Sequence, residues 1–278
     1  MVTRYLTTGP PGAAVRFLCA HGAGAGMETA FLEVVAGLLA RRGIAMLRFE
    51  FAYMANRGET KRPVPKAERL VDEYRAAVSG ALSRAPLLIG GKSMGGRVAS
   101  LVADELHAAG RIAGLVCLGY PFHPPKKPDQ LRTAHLQGLA CPALIVQGER
   151  DPFGSRGEVE TLRLSPAIRF HWAPDGDHDL APRRSSGHTR EGNLTATADA
   201  IAAFAGLAGG AERGLSAFNA DHERPATATG SAGFTHQVLF SCRSRAHGVH
   251  HHAQGRTVDG GARCADGRRD LAGQVDVP

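Results

Sequence analysis

Between residues 15 and 207, short apolar runs alternate with longer stretches whose apolar positions recur every three or four residues. The runs at 15–19, 44–53, 87–89, 112–118, 142–147 and 167–172 have the length and composition of strands. The stretch at 29–42 predicts a helix with Phe31, Val34, Val35, Leu38 and Leu39 turned inward and Gly43 as its stop. Stretches 67–84, 157–164 and 193–207 predict further helices, and another runs from 94 to about 107. The strands are nearly continuous in apolar residues rather than alternating, which requires cover on both faces. The pattern therefore predicts an α/β fold, a doubly wound, mostly parallel sheet with helices on both faces. Chemistry in such sheets sits outside the carboxyl ends of the strands. The polar or glycine-rich segments at 20–26, 90–96, 119–139, 148–154 and 173–179 all leave from those ends.

The pattern stops near residue 209. The remainder to Pro278 has no Ile, Tyr, Trp or Lys, is rich in Ala, Gly, Arg and His, and lacks sustained periodicity. It predicts a low-complexity, disordered tail (209–278) behind a single domain (1–208). His247 and the run His250, His251, His252 form no closed ligand set, so no metal is expected. The net charge of +7 is scattered without interleaved aromatics, which argues against a nucleic-acid surface. No apolar run is long enough to span a bilayer, and MVTRYLTTGPPG lacks the apolar centre of a signal peptide. The five cysteines form no C-x-x-C pair, and Cys19, Cys117 and Cys141 read as buried thiols of strands. A cytoplasmic protein without nucleic-acid or membrane partners is expected. Its oligomeric state is not written in these features.

Residues 86–102, PLLIGGKSMGGRVASLV, organise the rest. An apolar strand turns through Gly91-Lys92-Ser93-Met94-Gly95 into a helix carrying Val98, Leu101 and Val102. A strand, G-x-S-x-G and a helix in that order form a nucleophile elbow, which displays the serine hydroxyl on a strained turn. Side chains at Gly91 or Gly95 would strike the neighbouring strand or helix. The tetrad GGKS is also similar to the end of a phosphate-binding loop, but that loop needs glycine where Pro86 stands. A dinucleotide fingerprint in the first glycine-rich turn fails in the same way, because Met27 and Thr29 occupy the third glycine's place.

A serine hydroxyl needs a base near neutral pKa and a carboxylate to orient that base. In elbow-bearing sheets the order is Ser, then Asp or Glu, then His. Ser93, Asp151 and His178 follow that order, each just past a strand end. Asp151 precedes Pro152 and also suits a plain turn, and Asp175, Asp177 and Asp179 are rival acids. The N–H of Met94 and that of Ala23, in the turn His21-Gly22-Ala23-Gly24, are the candidate oxyanion donors. His21 is assigned to fixing that turn, not to proton transfer. These residues call for an acyl-serine mechanism with no cofactor.

With HGAGAGM (21–27), GGKSMGGRVAS (90–100), LGYPFHPPKKPDQLRTAHL (118–136), VQGERDPFG (146–154) and PDGDHDLAPR (174–183), the chain resembles the α/β-hydrolase superfamily. It is most similar to compact, cap-less, dienelactone hydrolase-like bacterial hydrolases that share a domain with testis-expressed and NSL-complex hydrolase-like proteins. The resemblance covers roughly residues 15–207. It implies an α/β-hydrolase fold without a cap domain and the same three residues, Ser93, Asp151 and His178. It also implies that Arg132 and His135 belong to the pocket wall. The loop at 119–139 is too short for a cap, so a small acyl substrate (short ester, thioester or lactone) is expected. A peptidase or acyltransferase using the same residues, or a non-catalytic scaffold, remain as alternatives.

Overall fold

A computed structural model describes residues 3–55 and 63–206 of the chain. Seven strands form one sheet: β1 (Tyr5–Thr8), β2 (Val15–Ala20), β3 (Ile44–Phe49), β4 (Leu87–Lys92), β5 (Gly114–Leu118), β6 (Ala143–Gly148) and β7 (Ile168–Ala173). Their order is β1-β3-β2-β4-β5-β6-β7, and every neighbouring pair is parallel except β1 with β3. Every residue of β3, β4, β5 and β6 is buried, as continuously apolar parallel strands require.

Helices cover both faces. On one lie α1 (Ala30–Ala40) and α7 (Arg190–Phe204), which pack Leu32, Val35, Leu39, Leu194 and Ile201 against Phe17, Cys19, Val116 and Val146. On the other lie α3 (Val71–Ala81), α4 (Met94–Ser100) and α5 (Ala103–Ala108), against Leu18, Ala20, Ile89, Leu115 and Ile145. Adjacent residues of β2 thus serve opposite cores, the two-residue alternation of a strand. The side chain of Thr29 accepts the N–H of Leu32, and Gly43 takes a left-handed φ of 76° where α1 gives way to β3.

Four details differ from the sequence expectation. Tyr5–Thr8 forms an edge strand that the apolar pattern does not announce. The strand starting at Ile44 stops at Phe49, and Ala52–Ala55 turns into a short helix, α2. The helices expected at 67–84, 94–107 and 157–164 are broken or shorter: Ala67–Arg69 is a 3-10 turn ahead of α3, α4 and α5 are separate, and α6 is only Arg156–Val159. Val34, expected inward, is 45% exposed. The expected tail and its histidine cluster lie outside the described residues.

Candidate active site

Ser93 sits between β4 and α4 with φ 51° and ψ −114°, a conformation that side-chain-bearing residues hold only when their surroundings enforce it. Here the ladder and the helix both do so. The N–H of Ser93 donates to Leu118 O at 2.9 Å, and Arg97 N–H donates to Ser93 O at 3.1 Å. A methyl group on Gly95 would stand 2.6 Å from the carbonyl oxygens of Ala20 and His21, and one on Gly91 2.6 Å from that of Ala20. Only glycine lets α4 approach β2 this closely. Tyr74 braces the strand from below: its hydroxyl accepts Gly90 N–H at 2.8 Å and is 2.7 Å from Gly90 O.

His178 Nδ1 lies 2.7 Å from Asp151 Oδ2. Asp151 is completely buried and accepts two further bonds, from Gln147 Nε2 (2.9 Å) and Phe153 N–H (2.9 Å). A buried carboxylate needs such partners. Facing a carboxylate, Nδ1 carries the ring proton and Nε2 keeps its lone pair. Three links bring this imidazole to the exit of β4 and β5. Gly119, next after the residue that pairs with Ser93, is so close that a methyl there would stand 3.3 Å from Nδ1. Lys92 Nζ donates to His178 O at 2.8 Å. Phe153 stacks against the ring with centroids 4.4 Å apart.

The rival acids are engaged elsewhere. Asp175 pairs with Arg183 and Arg150, and the Arg183 hydrogen bond chiefly holds its carboxyl far below the usual range. Asp177 Oδ1 accepts the N–H groups of Asp179 and Ala181, closing the loop on itself. Asp179 lies 3.3 Å from Lys92 Nζ. Lys92 is buried, and burial lowers its pKa despite that carboxylate.

The His21 turn passes beside the serine, since a methyl on Gly22 would be 3.8 Å from Ser93 Cβ. His21 is fully buried: Nδ1 lies 2.6 Å from Gly22 O and Nε2 accepts Phe51 N–H at 3.2 Å. Burial lowers its pKa and keeps the ring neutral. Met94 opens α4, where the first N–H groups have no partner inside the helix. Met94 therefore follows Ser93 at the start of α4, and the turn carrying Ala23 passes beside Ser93.

An alpha/beta hydrolase domain family matches residues 13–206. The chain belongs to the alpha/beta hydrolases. Similar solved structures of this fold include an alpha-beta serine hydrolase homologue from Coxiella burnetii. It is 20% identical with TM-score 0.53, over 71% of this chain and 88% of that one. A dienelactone hydrolase from Anabaena variabilis is 19% identical with TM-score 0.54, over 73% and 97%. A serine hydrolase without lid from Xanthomonas campestris is 18% identical with TM-score 0.51, over 73% and 93%.

Within this alpha/beta hydrolase domain, the segment carrying Arg132 and His135 packs against α4 and Tyr120. His135 Nε2 lies 2.8 Å from Ser100 Oγ, and Tyr120 OH donates to Arg132 O at 3.0 Å. Burial, then the nearby Arg97, lowers the pKa of His135. Sequence reasoning missed Gln147 and Lys92. Gln147 is the one amide at the end of an otherwise apolar strand, a visible signal. Lys92 gives none, because its partners are 86 residues away. No helix among the described residues is long and apolar enough to cross a membrane.

Proposed function

We propose that this alpha/beta hydrolase is a serine hydrolase of small acyl esters, thioesters or lactones, acting through an acyl-serine intermediate. The pairing of His178 Nδ1 with the buried, triply bonded Asp151 carries the reading, since it leaves Nε2 free to face the elbow. Ser93 Oγ attacks the acyl carbon while its proton passes to His178 Nε2. Asp151 holds the tautomer and stabilises the imidazolium. The N–H groups of Met94 and Ala23 receive the negative oxygen. His178 then protonates the leaving group, and water, deprotonated by the same nitrogen, releases the acid and restores Ser93. No step needs a metal or organic cofactor. The compact loop between β5 and β6 leaves the site without a cap domain, which suits short acyl groups, and the protein is read as cytoplasmic.

Nitrophenyl esters of increasing chain length test this. Hydrolysis fastest for acetate to butyrate, with an acyl adduct on Ser93 by intact mass, is the expected result. A preference for long chains would contradict the small-acyl assignment. Transfer to added amines or alcohols in place of hydrolysis would favour an acyltransferase, and cleavage of peptides alone a peptidase.

A further inference from the structure

Gln147, the last residue but one of β6, is completely buried. Its strand is otherwise apolar through Ala143, Leu144, Ile145 and Val146, so packing alone calls for no amide at this place. A buried amide is costly unless its polar atoms are bonded, and this one is fully engaged. Its Oε1 accepts Tyr120 N–H at 2.7 Å. Its Nε2 donates to Asp151 Oδ2 (2.9 Å), Gly154 O (3.1 Å) and Tyr120 O (3.2 Å). A peptide N–H can only donate, so Tyr120 fixes which end of the amide is oxygen and turns the two amide protons toward the three acceptors. The bond to the carboxylate is the shortest of those three.

Asp151 Oδ2 is also the oxygen that faces His178 Nδ1, at 2.7 Å. The other oxygen, Oδ1, accepts Phe153 N–H at 2.9 Å, and the Phe153 ring lies against that of His178. The carboxylate is thus held at both oxygens and cannot rotate about its Cβ–Cγ bond without losing a donor. Tyr120, the other partner of the amide, belongs to the segment leaving β5. In that segment Leu118 O accepts Ser93 N–H at 2.9 Å, and Gly119 passes beside the imidazole. Gln147 therefore grips the acid on one side. On the other, through both polar backbone atoms of Tyr120, it grips the segment bonded to Ser93.

We propose that Gln147 is a positioning residue of the hydrolase centre: its amide aims the Asp151 carboxylate at His178 and fixes that carboxylate relative to the segment that carries the bond to Ser93. This rests on the serine hydrolase reading and adds a residue through which the acid acts. Gln147 touches no reacting atom. Its effect passes through Asp151, whose aim sets the place of the imidazole, and small misplacements of a catalytic group cost up to about a hundredfold in rate.

Steady-state ester hydrolysis by the full chain with Gln147→Met or Gln147→Glu, each measured below its Tm, tests this. A methionine side chain matches glutamine in length and has no N–H to donate. Gln147→Met should lower kcat about thirtyfold and leave KM within about twofold of the wild type, the pattern of an interaction expressed in the transition state. A glutamic acid side chain donates one O–H while neutral and none once ionised, and the neighbouring Asp151 opposes that ionisation. Gln147→Glu should therefore keep several-fold more activity than Gln147→Met at about pH 6 and lose that advantage as pH rises toward about 9. It also supplies a folded test should Gln147→Met fail to fold. Proton NMR gives a readout free of turnover. The most downfield imidazole resonance, assigned to His178 Nδ1–H by its absence in His178→Ala, should shift or broaden in both variants. A folded variant with wild-type kcat at about pH 9, a loss confined to KM, equal losses in the two variants at about pH 6, or an unaltered resonance would each overturn the proposal. A wild type that hydrolyses no ester, yet shows the resonance and its dependence on Gln147, would support the positioning role and count against the hydrolase reading.

Discussion

Two loops of this protein each carry a histidine just past a strand, and the proposal of His178 as the base rests on the differences between them. The turn after β2 holds His21, and the loop after β7 holds His178. Both rings bear their proton on Nδ1, since in each case that nitrogen faces an oxygen that can only accept: Gly22 O for His21, Asp151 Oδ2 for His178. The difference is at the far nitrogen. Nε2 of His21 is consumed by Phe51 N–H inside a fully buried, aromatic-lined site, with Phe51 edge-on at 5.3 Å. Nε2 of His178 has no hydrogen bond among the described residues, and 21% of its side chain is exposed. The first ring is a fastener, joining the turn after β2 to the segment after β3. The second is held on one side only among the described residues, the arrangement that the proposed role as base requires. The opposite partner matters too: a neutral carbonyl fixes a ring, whereas a carboxylate also stabilises the imidazolium that forms during proton transfer.

The largest expected effect tests the carboxylate. Asp151→Asn should reduce kcat by about 10⁴-fold, because an amide no longer enforces the tautomer with Nδ1 protonated. A loss below about tenfold in steady-state hydrolysis would remove Asp151 from its role.

His21→Ala should act on folding instead. It strands the buried Phe51 N–H and removes the bond to Gly22, at about 3 kcal/mol, lowering Tm by roughly 10 °C. Thermal unfolding followed by circular dichroism measures this. An unchanged Tm with lost hydrolysis would invert the assignment of the two rings.

A smaller effect is expected at Lys92, which ties the residue before Ser93 to the backbone of His178. Lys92→Met should lower kcat by about tenfold with little change in KM, the pattern of an interaction expressed in the transition state. Lys92→Arg, which can still donate, should recover part of the loss. A rise in KM alone would assign Lys92 to substrate binding.

The smallest effect is a pH dependence. Burial depresses the folded-state pKa of His21 below its ordinary value of 6.5. Above about 6.5 the ring is neutral folded or unfolded, and pH has no effect through it. As pH falls below that point the unfolded chain binds a proton that the folded ring resists, so stability declines until the folded pKa is reached. His21→Gln should reduce the slope of denaturant-derived stability between pH 6.5 and 5. The slope should not vanish, because burial also depresses His135 and His171.

Much of this arrangement is legible from residue order. Apolar runs announce β2 to β6, since buried parallel strands tolerate little else, and GGKSMGG announces the elbow because its glycines have no steric substitute. Asp151 and His178 follow from their place after successive strands. The contacts that complete the site are less visible because they join distant segments. Lys92 reads as an arbitrary residue of G-x-S-x-G until its amine is found on the His178 loop. Tyr5–Thr8 escapes notice because an edge strand paired on one side needs no continuous apolar run. The breaks in the helices give no such signal, because no glycine or proline stands at the junctions of Ala67–Arg69 with α3 or of α4 with α5.

Labelling by a fluorophosphonate probe, with wild type, Ser93→Ala, His178→Ala and His21→Ala compared below the Tm of each, tests the central contrast most directly. The account predicts labelling of the wild type and of folded His21→Ala, and none of Ser93→Ala or His178→Ala. Labelling that survives His178→Ala but is lost in folded His21→Ala would contradict it.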